Sequence, residues 1–232
     1  YQPDRRPLPH LEFDRTTRVP ETRIYGIKAN TSADASTTLD TYANNNNVEI
    51  NNSTFNIKGR TDNNGLTSYD ITYGDNIYGV FLPETNTLSI KNSTFNIKNT
   101  QLAFGVYTGT GVDINNSTIS AVSIDNNGYG VYAAGNNVTY NISNDDEPVS
   151  TTKPDITGSK YGIYRKTGTL NFYDGIIRGE TPIYGGVTDK PDGYELLEGN
   201  DGTYNTLKLY STPVIVNTDT DVEYATIQRG FN

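Results

Sequence analysis

Three kinds of side chain in this 232-residue chain have the types and spacing to do chemistry: clustered acids, one histidine, and a recurring series of aromatic rings. The acids come as the run Asp145, Asp146 and Glu147 inside the polar stretch NDDEPVSTTKPD (144–155), with Asp70, Asp75, Asp125 and Asp174 scattered on other turn-like stretches. Such carboxylates can serve as paired acid and base in glycan cleavage, or as oxygen ligands to Ca²⁺ together with backbone carbonyls. Cleavage needs them gathered on neighbouring structural units, and at the matched corners of this chain the residues are Asn, Asn and Ser instead. The expectation is therefore no catalytic residue, and Asp145, Asp146 and Glu147 as the weak metal candidates. His10 stands alone, and one imidazole makes neither a triad nor a metal site. The absence of Cys removes thiolate nucleophiles, disulfides and thiolate-bound metals. DNNG, at 62–65 and 125–128, begins like a calcium loop but lacks its later Glu, and Asn-Gly turn chemistry accounts for it.

The rings require a scaffold, and the scaffold is written in two alternating phrases. One is aromatic-Gly-aliphatic: IYGVF at 77, AFGVY at 103, GYGVY at 128 and KYGIY at 160. The other is VEINNSTFNIKG at 48, LSIKNSTFNIKN at 88 and VDINNSTISAV at 112, with relatives at 138 and 170. Gly79, Gly105 and Gly130 are 26 and 25 residues apart, and Leu88, Val112 and Val138 are 24 and 26 apart, a period that marks stacked repeats. Gly26 to Gly79 spans 53 residues and reads as about two repeats. Within a phrase the apolar residues alternate, as strands require, and their parity changes across Asn51–Ser53, so the chain turns a corner there. Short strands joined by corners and repeating about every 25 residues predict an all-β, single-stranded parallel β-helix.

That fold assigns residues to columns. Asn52, Asn92 and Asn116, with Asp174 in register beside them, form a structural ladder able to exchange hydrogen bonds from coil to coil. Gly26, Gly79, Gly105, Gly130 and Gly162 form a second column, where a missing Cβ admits a bulge or close backbone approach. Phe81, Tyr107, Tyr132 and Tyr164 form a third. Val80, Val106, Val131 and Ile163 have the opposite parity and are good core residues, so the aromatic column is expected to face outward as a binding strip.

Composition bounds the partners. Net charge is −9 and hydrophobic residues make up 34%. Residues 1–23 hold five Arg against four acids and four of the ten Pro, which sets them apart as a leader or N-terminal cap and leaves the rest more acidic still. An acidic surface repels phosphate backbones and anionic lipid, which argues against nucleic acid as a partner. No apolar run is long enough to span a membrane as a helix, so no membrane insertion is expected. Residues 24–186 read as the solenoid and 187–232 as a C-terminal β-hairpin cap or the start of a following module; GYELLEGNDGTYNTLKLY supplies two alternating strands around a Gly-containing turn. The missing initial Met points to a processed chain or a piece of a longer one.

YGIYRKTGTLNFYDGIIRGETPIYGG, followed by DGYELLEGNDGTYNTLKLY, resembles the repeats of Gram-positive bacterial cell-surface proteins with the right-handed parallel β-helix of the pectate-lyase-like superfamily. VEYATIQ at 222–228 is similar to the opening strand of a further such module. The resemblance covers roughly 70–232. It implies right-handedness, an extracellular location on a bacterial cell surface or in secreted form, and a monomeric fragment of an adhesin-like stalk that meets a host or cell-surface glycan or protein and needs no cofactor. Two other readings share the fold: a polysaccharide lyase or glycoside hydrolase, and a phage tail-fibre segment.

Overall fold

The computed structural model describes residues 23–28, 47–59, 76–83, 87–146, 148–211, 215–217 and 222–224. The proposed leader up to residue 22, with His10, lies outside the described residues, as do Asp70, Asp75, Glu147 and the first DNNG; Arg23 already belongs to a strand.

Five successive coils each give one strand to each of three sheets. The first sheet is β1 (Arg23–Lys28), β4 (Asn76–Leu82), β7 (Leu102–Thr108), β10 (Asn127–Ala133), β13 (Tyr161–Arg165) and β16 (Thr181–Tyr184). The second is β2 (Val48–Asn51), β5 (Leu88–Lys91), β8 (Val112–Asn115), β11 (Thr139–Ile142) and β14 (Thr169–Phe172). The third is β3 (Thr54–Lys58), β6 (Thr94–Asn99), β9 (Thr118–Ser123), β12 (Asp155–Gly158) and β15 (Ile176–Gly179). All of these neighbours pair in parallel and in register, so the chain is a parallel β-helix. The stack ends on a hairpin, β17 (Glu195–Asn200) and β18 (Asn205–Tyr210), whose second strand lies antiparallel on β15. A separate antiparallel pair, β19 (Ile215–Asn217) and β20 (Val222–Tyr224), follows.

The corner phrase explains the turn between the second and third sheets. Asn52, Asn92 and Asn116 all take left-handed backbone, with φ of 50°, 50° and 41°, which Asn tolerates better than other residues bearing a Cβ. The Ser that follows locks the corner. Its hydroxyl donates to the carbonyl two residues back, as in Ser93 to Lys91 at 2.8 Å and Ser117 to Asn115 at 2.7 Å. It also accepts from the Ser amide of the preceding coil, from Ser53 and from Ser93, each at 3.1 Å. Ile90 and Ile114 before the corner, and Phe95, Ile97 and Ile119 after it, all point into the core despite the change of parity. The core is a continuous column of aliphatic side chains with Phe95, Tyr140 and Phe172 as its large fillers. Tyr140 brings a hydroxyl into that interior, where it accepts from the Gly135 amide at 2.9 Å and donates to the Gly135 carbonyl.

The stacking corrects the repeat spacing at two points. β1 pairs directly with β4, Ile27 opposite Val80, so the long step is one coil and not two. Val112 pairs with Tyr140, not Val138. In both cases register follows the buried strand residues, while the connections between them vary freely in length.

Candidate recognition face

The first sheet carries an irregularity that recurs in β4, β7 and β10. Ile77 and Val80 are both fully buried although they are three residues apart, and so are Ala103 and Val106. Alternation therefore slips by one at the intervening glycine, a bulge kept in phase from strand to strand. Glycine is required there by close approach: a Cβ on Gly130 would lie 2.5 Å from the Gly162 carbonyl oxygen and 2.7 Å from Ile156 Cγ2 of the third sheet. The slip turns the residue before each glycine outward, onto the same face as the residue two after it.

Two ring columns consequently run side by side along the outside of this sheet. One is Phe81, Tyr107, Tyr132, Tyr164 and Tyr184, and the other is Tyr78, Phe104, Tyr129 and Tyr161. Tyr107, Tyr132 and Tyr164 face outward, as the opposite parity of the buried valines requires. Centroids in the first column are 5.0, 5.0, 4.8 and 4.8 Å apart with planes within 26° of parallel. In the second column they are 4.8, 5.1 and 5.6 Å apart. Between columns the planes cross at 60–90°, giving edge-to-face contacts such as Tyr78 on Phe81 and Tyr129 on Tyr164. Each geometry satisfies the ring quadrupoles and adds about 0.5–1.5 kcal/mol per pair beyond burial.

This packing decides what the strip can offer. Rings wider than their 4.8–5.0 Å spacing overlap face on face, so most faces are covered by the next ring in the column. The outer surface presents ring edges and phenolic hydroxyls. Tyr184, last in its column and 49% exposed, is the ring that keeps a broad surface open. Tyr78 and Phe104 lie at the base of the strip, 6% and 7% exposed. Burial, followed by the neighbouring phenols, raises the pKa of Tyr129 and Tyr132 above the usual tyrosine value, so these hydroxyls stay protonated and neutral.

The strip is also sparing of charge: beside it, Lys160 places its Nζ over the Tyr161 ring, 5.7 Å from the centroid. In β4, β7, β10, β13 and β16 the one charged residue is Arg165, in register with the buried Ala133; its guanidinium donates to the carbonyls of Gly168, Gly185 and Gly186. The other two faces are polar. On the second sheet Asn171 donates to Asn141 at 2.9 Å and Asn141 to Asp113 at 2.6 Å; on the third, Asn96 donates to Asn56 at 2.8 Å, two residues before the paired Lys58 and Lys98.

The corner ladder is present between Asn116 and Asn92, whose amides bond at 2.8 Å. Asp174 does not extend it, which corrects the expected column. In its coil the left-handed position moves to Gly175, with φ 99°, and the Asp174 carboxylate turns inward. There its Oδ1 accepts from the backbone amides of Ser150 and Thr151, each at 2.8 Å, and of Gly175 at 2.6 Å. Burial still pushes its pKa up, outweighing those three bonds. Asp174 thus pins the 144–154 excursion to the stack. Asp145 and Asp146 are exposed on that excursion, and among the described residues no group of three His, Cys, Asp or Glu side chains converges on a metal-sized site.

A scan against protein-family models returns no match, and searches of the curated proteins and of the solved structures return none either. The residues that period-two reasoning missed are Tyr78, Phe104, Tyr129, Tyr161 and Tyr184. The signal for Tyr78 and Phe104 was the pair of core residues three apart on either side of the glycine; for Tyr129 and Tyr161 it was the same aromatic-Gly-aliphatic phrase, and for Tyr184 the shortened phrase IYGG at 183.

Proposed function

We propose that this chain is a non-catalytic segment of an extracellular bacterial surface protein, a right-handed solenoid that acts as a stalk and meets a glycan or protein through its aromatic face. The carrying observation is the asymmetry of the three faces: two bear amides, hydroxyls and charges, and one bears nine packed rings with the Lys160 ammonium over one of them. An aromatic strip with so little charge on an otherwise acidic protein is the composition of a contact surface. The resemblance of 160–210 to surface-protein repeats supplies the location and the handedness. The reading needs no cofactor.

The test is an array of glycans and cell-surface proteins probed with the intact chain and with a Tyr107→Ala, Tyr132→Ala, Tyr164→Ala variant whose fold is checked by circular dichroism. Capture by the first and loss in the second is the expected result. No capture by either would reduce the role to spacer. Release of unsaturated or reducing ends from a polysaccharide would replace this reading with a lyase or hydrolase, and a trimeric mass in light scattering would favour the tail-fibre reading.

A further inference from the structure

Resting on that reading, we infer that the occupant of the aromatic face is a neutral polysaccharide lying extended along the solenoid axis, held by hydrogen bonds to the tyrosine hydroxyls and not by stacking on the ring faces. Three observations carry the inference. The hydroxyls of Tyr107, Tyr132, Tyr164 and Tyr184 sit at the outer ends of their rings, and none of them makes a protein hydrogen bond among the described residues. Their rings recur every 4.8–5.0 Å, comparable to the length that one sugar residue adds to an extended chain, so successive residues of the ligand meet successive tyrosines. The cation against the strip from β4 to β16 is Lys160, which lies over the Tyr161 ring 5.7 Å from its centroid, and the chain has net charge −9, so a uronic-acid or sulfated polymer would bring an anion with every residue to a surface that offers one positive charge.

The ring faces are the wrong place to look for sugar contacts in the middle of the strip, because the neighbouring coils already cover them. Tyr184 is the exception. Its open side sits at the end of the column and forms a platform for one terminal sugar residue. The ligand therefore has a stacked end at Tyr184 and a hydrogen-bonded body running toward Phe81.

Binding is measured by titrating β-linked glucan and mannan oligosaccharides, from disaccharide to octasaccharide, into the intact chain, with polygalacturonate as the charged competitor. Affinity is expected to rise with length until the oligosaccharide spans the five rings from Phe81 to Tyr184, then level off, and to stay the same when salt is raised. A Tyr107→Phe, Tyr132→Phe, Tyr164→Phe variant keeps the ring columns and their near-ultraviolet dichroism but loses three hydroxyls. It should bind about 100-fold more weakly, since each lost hydrogen bond costs a factor of several. Equal binding by this variant overturns the hydrogen-bonded mode, as does displacement by polygalacturonate or affinity indifferent to length. If the oligosaccharides fail while the alanine variant loses capture of a protein on the array, this inference falls and the contact-face reading stands. If nothing binds in either experiment, both fall.

Discussion

Replacing Gly130 by alanine should destabilise the solenoid although alanine is the smallest possible change. The new methyl would sit 2.5 Å from the Gly162 carbonyl oxygen, 2.7 Å from Ile156 Cγ2 and 3.0 Å from the Thr157 carbonyl oxygen. Two of these atoms are backbone in flanking strands, so relief requires moving a coil and not rotating a side chain. Overpacking of this kind costs about 1–3 kcal/mol, and the backbone character of the contacts places it near the upper end. Against that, alanine lowers the entropy of the unfolded chain and returns about 0.4–1 kcal/mol. The net loss is about 2 kcal/mol, which for a chain of this length lowers Tm by about 4–8 °C. Thermal melts followed by circular dichroism measure it, with Gly199→Ala as the control, because a Cβ there has only the Thr206 hydroxyl as a near neighbour, at 3.0 Å. The near-ultraviolet tyrosine signal should also weaken, since the slip at Gly130 is what brings Tyr129 beside Tyr132. A melt within about 1 °C of the parent, or equal loss in the control, would show that the bulge is not held by close approach and refute the reasoning.

Asp174→Ala leaves three amides of a tight corner without their acceptor and should cost about 2–3 kcal/mol, appearing first as faster hydrogen exchange at Ser150 and Thr151. Burial raises the pKa of both Asp155 and Asp174, so the folded state binds protons more tightly there than the unfolded state does. Their contribution is complete below the unfolded value of 3.8 and is lost as pH rises through the raised folded values, so stability should increase on acidification through that window, less so in Asp174→Asn. Tyr173, pushed up to about 12 by burial and by its hydrogen bond to Asp189, should titrate well above an ordinary phenol in an ultraviolet titration, and Tyr173→Phe should remove that component. Arg178→Ala strips Asp155 of its charge partner and frees Asp201, so exchange should quicken across β18 before it does in β12.

Much of this architecture was legible because strand residues in a solenoid answer to two periods at once, alternation along the strand and recurrence between coils. Val80, Val106, Val131 and Ile163 satisfy both and are all buried, and the Asn-Asn-Ser corner declares itself by a change of parity. The ring columns were half legible. Alternation placed Tyr107 and Tyr132 outward but assigned Tyr78 and Tyr129 the parity of the core, because a glycine slip is invisible to a period-two template. Asp174 was found in the right register with the wrong partner: Gly175 can take the left-handed turn itself, which frees the preceding side chain to point elsewhere. The 144–154 segment shows its polarity in composition, but its anchorage lies in a residue more than twenty positions downstream, and local pattern carries no information at that range.

The far end of the first sheet answers a different problem. In β16 the register position occupied by Gly130 and Gly162 in earlier coils is Pro182, and β16 is the terminal strand of that sheet among the described residues. Proline has no amide hydrogen to give a further strand. On the third sheet the stack is crossed by antiparallel β18, and the outermost strand, β17, is exposed along its whole length and carries Glu195 and Glu198. A column of identical-looking coils is a template for its own fibril, each open edge inviting the next molecule. Proline on one sheet and a reversed, acidic strand on another make this end a poor seed, so the chain can use amyloid-like stacking inside one molecule without passing it to its neighbours.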